Sequence, residues 1–156
     1  MTAIGEVDEA NSAVGVAIAA LGETGLASKL RQIQNELFDL GADIATPGDV
    51  EGALRIVPRQ VERLEEEIDA MNADLAPLTS FILPGGSMAV ALLHQARTVV
   101  RRAERAAVAL KEAEGINRDA LAYLNRLSDH LFVAARYLAS SEGGDVLWQP
   151  GATRGA

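Results

Sequence analysis

His94-Gln95-Ala96-Arg97-Thr98-Val99-Val100-Arg101-Arg102-Ala103-Glu104-Arg105 lies inside the longest helical pattern of the chain. Four arginines fall within nine residues of a chain whose formal net charge is -8. Arg97, Arg101 and Arg105 stand at i, i+4 and i+8, the spacing that stacks side chains along one helix face. His94, three residues before Arg97, falls on the same side. Three guanidiniums in a row repel one another unless an anion lies across them. Arginine prefers flat, bidentate oxyanion partners such as carboxylate and phosphate. An acidic chain that gathers positive charge on one face therefore reads as holding something anionic there.

Outward from this run, the pattern extends from about Ser87 to Glu114, and Gly115 ends it. A first helix reads from about Ile4 to Leu21, and a second from about Ala27 to Ala45, stopped at Thr46-Pro47-Gly48. Asp49 to Val57 reads as a loop. A third helix starts near Pro58, which suits a first helical position, and continues to about Asp74. Its apolar stripe is Val61, Leu64, Ile68 and Met71. Ala76 to Gly86 is irregular around Phe81-Ile82-Leu83. Asn117 caps a fifth helix that runs to about Ser141, with Leu124, Leu127, Leu131 and Leu138 facing inward. The tail from Gly143 has no helical period. Five helices with mostly short loops predict an all-α bundle, one domain over residues 1–156.

Composition agrees. Hydrophobic residues make up 49% but aromatics only 4%, which suits close-packed helices better than a sheet. With no cysteine, disulfides, thiolate catalysis and cysteine metal sites are excluded. The acidic balance argues against general nucleic-acid binding. No apolar run approaches the roughly 18 residues of a membrane span, and no secretory signal is visible. These features predict a cytoplasmic chain.

Two further stripes stand out. The first helix carries Asp8, Asn11, Ser12 and Gly15, small polar residues that suggest a close helix or ligand. The fifth carries Asn125, Ser128, Asp129, Phe132 and Arg136, whose donors and acceptors suit a sugar hydroxyl, a nucleobase edge or the arginines. Each stripe also reads as an ordinary hydrated face, and the arginine run as a set of ion pairs. Arg102 points away from the arginine face and reads as solvated. Glu62, Glu65, Glu66, Glu67 and Asp69 read as a solvated face rather than a magnesium site. His94 and His130 read as hydrogen-bonded structural histidines. No Glu-x-x-His pair supports a di-iron centre, and no metal ligand set is expected. Pro84-Gly85-Gly86 lacks the Gly-Lys-Ser/Thr of a phosphate loop.

Six ordered motifs span nearly the whole chain: Val7 to Ser12, Gln34 to Asp43, Phe81 to Gly86, Ala96-Arg97 through Arg105, Tyr123 to Asp129, and Leu147 to Gly151. Together they resemble the PduO-type ATP:cob(I)alamin (corrinoid) adenosyltransferases. That resemblance implies a five-helix bundle of the ferritin-like, cobalamin adenosyltransferase-like kind. It implies a homotrimer with active sites between subunits. The implied reaction moves the 5'-deoxyadenosyl group of ATP, accompanied by Mg2+, to the cobalt of reduced cobalamin and releases triphosphate. Implied partners are a reductase or an adenosylcobalamin-dependent enzyme.

By that resemblance, Arg97 pairs with Asp8 of a neighbouring subunit. Arg101 contacts the ATP phosphates, supported by Glu104 and Arg105, and Asn125 contacts the nucleotide. Phe81 occupies the lower face of the corrin, with Ser128 and Asp129 on the cobalamin side. The family pattern also has a Thr-Gly-Asp-x-Gly-Thr-Thr segment that wraps the ATP phosphates. This sequence opens at Met1-Thr2-Ala3-Ile4, and we expect that segment to precede it rather than to have been lost. Two rival readings remain at this stage. One is a helical cobalamin carrier without ATP turnover, and the other is a structural oligomer whose arginines pair with acids across subunits.

Overall fold

The helix ends follow from local chemistry. In a computed structural model describing residues 2–155, five helices occur: α1 (Thr2–Leu21), α2 (Gly25–Ala45), α3 (Pro58–Asn72), α4 (Met88–Glu114) and α5 (Arg118–Ser140). Thr24 Oγ1 accepts the Ala27 N–H at 3.1 Å, so α2 begins two residues before its expected start. α1 also begins two residues early. Ser87 caps α4 through the Val90 N–H, and Asn117 caps α5 through the Asp119 N–H. Gly115 leaves α4 at φ 69°, a left-handed conformation that costs glycine little. α3 stops two residues short of expectation, because Ala73 and Asp74 donate to the Asp69 and Met71 carbonyls in a closing turn.

α4 is the central element. It packs on α1 along one side and α5 along the other; α2 packs on α1, and α3 on α5. Its core side is Val90, Leu93, Ala96, Val100, Ala103 and Ala107, and the facing side of α1 is Ala3, Val7, Ala10, Val14 and Ala17. Leu124, Leu127 and Leu131 are buried as expected, whereas Leu138 and Ile68 are only half-buried. Among the described residues, no helix is long and apolar enough to cross a membrane.

Three polar features depart from the sequence expectation. Arg102 is not merely solvated: it pairs with Glu6 and Glu9 of α1 and ties that helix to α4. Glu67 leaves the solvated acidic face of α3 and turns inward to Arg63 and His130. His130 thus finds its hydrogen bond, but the buried Nε2 of His94 finds none among the described residues.

Loops close both ends. At one, the buried Asp43 carboxylate accepts from Arg55 Nη1 at 2.9 Å, Ile56 N at 2.7 Å and Asn117 Nδ2 at 2.8 Å. These bonds fix the loop before α3. At the other, the Phe81 segment pairs with the C-terminal tail. Ile82 and Leu147 form an antiparallel bridge, Leu83 N donates to Val146 O at 2.7 Å, and Trp148 N donates to Phe81 O at 2.8 Å. Arg136 anchors both segments to α5, donating to Asp145 Oδ2 in the tail at 3.0 Å and to the Ala76 carbonyl upstream of Phe81 at 3.0 Å.

Candidate functional site

α4 and α5 run in opposite directions, so their polar residues meet in reverse order along one seam. Asn125 Nδ2 donates to Glu104 Oε2 at 2.8 Å, and Arg101 lies 3.6 Å from the other oxygen of the same carboxylate. The structure thereby joins three of the residues singled out by sequence. Glu104 satisfies only part of Arg101, whose side chain remains about half exposed. Arg105 is exposed one turn further. Of these two guanidiniums only Arg101 meets the Glu104 carboxylate, and both are exposed, which leaves positive charge open to an anionic ligand.

One to two turns along the seam, Arg97 lies 5.8 Å over the Phe132 ring, and His94 meets the same ring edge-on at 6.2 Å. The Arg97 Nε is buried and has no partner among the described residues. Burial pushes the His94 imidazole below its ordinary range; the Arg97 charge adds to this and Asp145 opposes it. Phe132 stood in the fifth-helix stripe, but its service as a shelf for Arg97 was not legible there. Beyond it, Arg136 leads to the Phe81 segment. From Glu104 back to His94 is ten residues, about 15 Å of helix.

Phe81 ends the seam as a 76% exposed ring, 5.8 Å from the Trp148 ring. Leu78, Leu83, Met88, Val146 and Leu147 are exposed on the same two segments or at the adjoining start of α4. An aromatic held out on a hydrogen-bonded loop, with apolar neighbours, is built to lie against a large flat apolar ligand or another chain. Trp148 was read only as part of the closing motif; its pairing with Phe81 joins residues far apart in sequence.

The remaining sequence candidates divide. Ser128 is buried, and its hydroxyl donates to the Asn125 carbonyl at 2.7 Å. Asp129 is exposed and pairs with Arg126 at 2.8 Å. Asp8 is exposed on α1 and makes no ion pair within the chain among the described residues; with Ser12, Arg31, Asn35 and Phe38 it lines an open groove of about 420 Å³. The small residues of that stripe have a mechanical role as well. Asn11 and Gln34 exchange side-chain to backbone bonds at 3.1 and 3.2 Å, and a Cβ on Gly15 would stand 2.9 Å from Gln34 Nε2. No group of three His, Asp or Glu side chains could hold a metal ion among the described residues.

The family model for cobalamin adenosyltransferase matches residues 1–138. The chain belongs to this family. The corrinoid adenosyltransferase of Mycobacterium tuberculosis is 51% identical, over 100% of this chain and 83% of its own length. That of Bacillus subtilis is 46% identical, over 93% of this chain and 77% of its own. Among solved structures, a variant PduO-type ATP:corrinoid adenosyltransferase from Lactobacillus reuteri, complexed with cobalamin and ATP, superposes with a TM-score of 0.88. It is 42% identical and covers 94% of this chain and 84% of that one. Within this adenosyltransferase fold, the charged and aromatic ends of the α4–α5 seam are its chemically distinctive features.

Proposed function

We propose that this chain is an ATP:corrinoid adenosyltransferase. It moves the 5'-deoxyadenosyl group of ATP to the cobalt of a reduced corrinoid and releases triphosphate. Cobalt(I) supplies the electron pair for the new cobalt–carbon bond to C5'; the C5'–oxygen bond breaks, and its pair leaves on the triphosphate. The observation that carries this reading is the shared Arg101–Glu104–Asn125 cluster on the seam that ends at exposed Phe81. It offers a polyanion site at one end and an apolar ring at the other.

The residues divide the work accordingly. Arg101 holds the phosphates and stabilises the charge on the departing triphosphate. Glu104 aims Arg101 and accepts from Asn125, Arg105 adds positive charge, and Asn125 contacts the nucleotide. Phe81 lies under the corrin, excludes an axial ligand and favours the four-coordinate cobalt that is easier to reduce. Asp129 borders the corrin side. Buried Ser128 acts from behind by fixing the turn that carries Asn125. Arg97, with its buried Nε beside Phe132, and Asp8, in its open groove, meet across a subunit boundary in a homotrimer. Holding C5' over cobalt removes much of the orientational cost. Mg2+ arrives on the ATP phosphates, and no step here depends on a protein ligand to it. We place this trimer, one domain per subunit over residues 1–156, in the cytoplasm. It receives corrinoid from a reductase or passes product to an adenosylcobalamin-dependent enzyme.

The test is Arg101→Ala. The enzyme reading predicts loss of cobalt–carbon bond formation with the oligomer intact by sedimentation. A structural oligomer would lose its assembly instead, and a carrier would show no ATP-dependent turnover even as wild type.

A further inference from the structure

The catalytic seam occupies one face of α5, and a buried ionic chain occupies the other. Glu36 of α2 pairs with Arg63 of α3. Arg63 Nε donates to Glu67 Oε2 at 3.1 Å, and Glu67 Oε1 meets His130 Nε2 of α5 at 2.8 Å. The His130 side chain is fully buried, and those of Glu36, Glu67 and Arg63 are 7%, 12% and 18% exposed. Burial pushes the Glu36 carboxyl above its ordinary range, against the pull of Arg63. Burial also pushes Glu67 up, but His130 and Arg63 outweigh it and hold that carboxyl low.

His130 and Tyr123, seven residues apart, share a helix face. Asn125, Ser128 and Phe132 fall on the opposite face, where Asn125 bonds Glu104 and Phe132 carries Arg97. A helix gripped on one side by an ion chain has its rotation and axial position fixed for the other side. Apolar packing alone grips less sharply, because leucines tolerate small slides that a 2.8 Å directional bond does not. Buried ionic groups add little net stability, so specificity of placement is their best-attested use.

We propose that the His130–Glu67 hydrogen bond is a positioning device that fixes α5 so that Asn125 and Glu104 present Arg101 to the nucleotide. This rests on the adenosyltransferase reading. Neither His130 nor Glu67 touches substrate. Loss of their bond therefore acts first on the ATP end of the seam, because Phe81 is held to the tail by the Ile82–Leu147 bridge and by the Trp148 N–H on its carbonyl, contacts that do not involve α5.

The test compares His130→Leu with His130→Gln, whose amide can still donate to Glu67. ATP binding is followed by calorimetry without corrinoid, the Michaelis constants for ATP and reduced corrinoid by cobalt–carbon bond formation, and folding by thermal melting. We expect His130→Leu to weaken ATP binding roughly tenfold. The corrinoid constant should stay within about twofold, and His130→Gln should recover most of the loss. Equal weakening for both substrates, or no recovery by glutamine, would mean a merely structural histidine and would overturn the proposal. If the leucine variant does not fold, Glu67→Gln removes the charge and keeps the shape. Its ATP binding should fall about threefold, and an unchanged value overturns the proposal as well. Wild type that binds ATP but makes no adenosylcorrinoid defeats the functional reading alone, since the calorimetric comparison still decides the positioning.

Discussion

Replacing Asn125 with alanine removes the donor that reaches Glu104 Oε2 at 2.8 Å. The acceptor is a carboxylate with a mostly buried side chain, 17% exposed. A hydrogen bond to a charged group contributes about 1.5–3 kcal/mol. At about 1.4 kcal/mol per decade, this is roughly a 10- to 100-fold loss in kcat/KM for ATP. The loss should fall on ATP, because the freed carboxylate turns to Arg101, 3.6 Å away, and draws it from the phosphates. Asn125 is only half-buried, so its removal opens little cavity, and the lost hydrogen bond should lower the melting temperature by about 3–12 °C. Asn125→Asp sharpens the test by placing a second carboxylate against Glu104. Two acids at that distance cannot both ionise cheaply. The aspartate variant should therefore be worse than alanine at pH 8, and its deficit relative to wild type should shrink as falling pH protonates the pair. The assay is initial-rate cobalt–carbon bond formation across ATP concentrations at saturating reduced corrinoid. A change below twofold, or an equal change in the corrinoid constant, would refute the assignment of Asn125 and Glu104 to the nucleotide end.

Three further outcomes follow from the structure. Phe81→Ala should cut adenosylation at least roughly tenfold. It should leave ATP binding intact and cost no more than about 1.5 kcal/mol of stability, the worth of the Trp148 ring contact, as measured by denaturant titration. Asp43→Ala strands Arg55 and the Ile56 N–H, and should destabilise by about 3–5 kcal/mol in the same titration. His94 is held neutral by burial below its ordinary value of 6.5, while the unfolded chain takes up the proton at that value. Its contribution is therefore complete above pH 6.5 and is lost as pH falls from there toward the folded value. Melting temperatures of His94→Leu should decline less than wild type between pH 6.5 and 5.

The helices were legible because each carries its own period and its own punctuation. Ser87, Gly115 and Asn117 act within three or four residues of themselves, whereas the Thr24 cap was not legible and α2 begins two residues before its expected start. The arginine face was legible for the same reason, since Arg97, Arg101 and Arg105 need only the helix to align them. What was not legible depends on partners distant in sequence. Arg102 looked solvated because Glu6 and Glu9 lie on a helix more than ninety residues earlier. Glu67 sat in a run of acids, and only the approach of α5 reveals that it alone meets a buried histidine. The ring of Phe81 could be picked out, but not the strand-like bridge to the tail that holds it, since neither segment has a period. His94 failed differently: it reads as a hydrogen-bonded structural histidine, but whether Nε2 finds a partner is a property of the packed site, and among the described residues it finds none.

The most direct test of the central claim is product stoichiometry with the purified chain, reduced cobalamin and MgATP in the dark. The account predicts one triphosphate released for each light-sensitive cobalt–carbon bond formed, with both absent in Arg101→Ala. Release of orthophosphate or diphosphate without a cobalt–carbon bond, or tight corrinoid binding with ATP unconsumed, would contradict it.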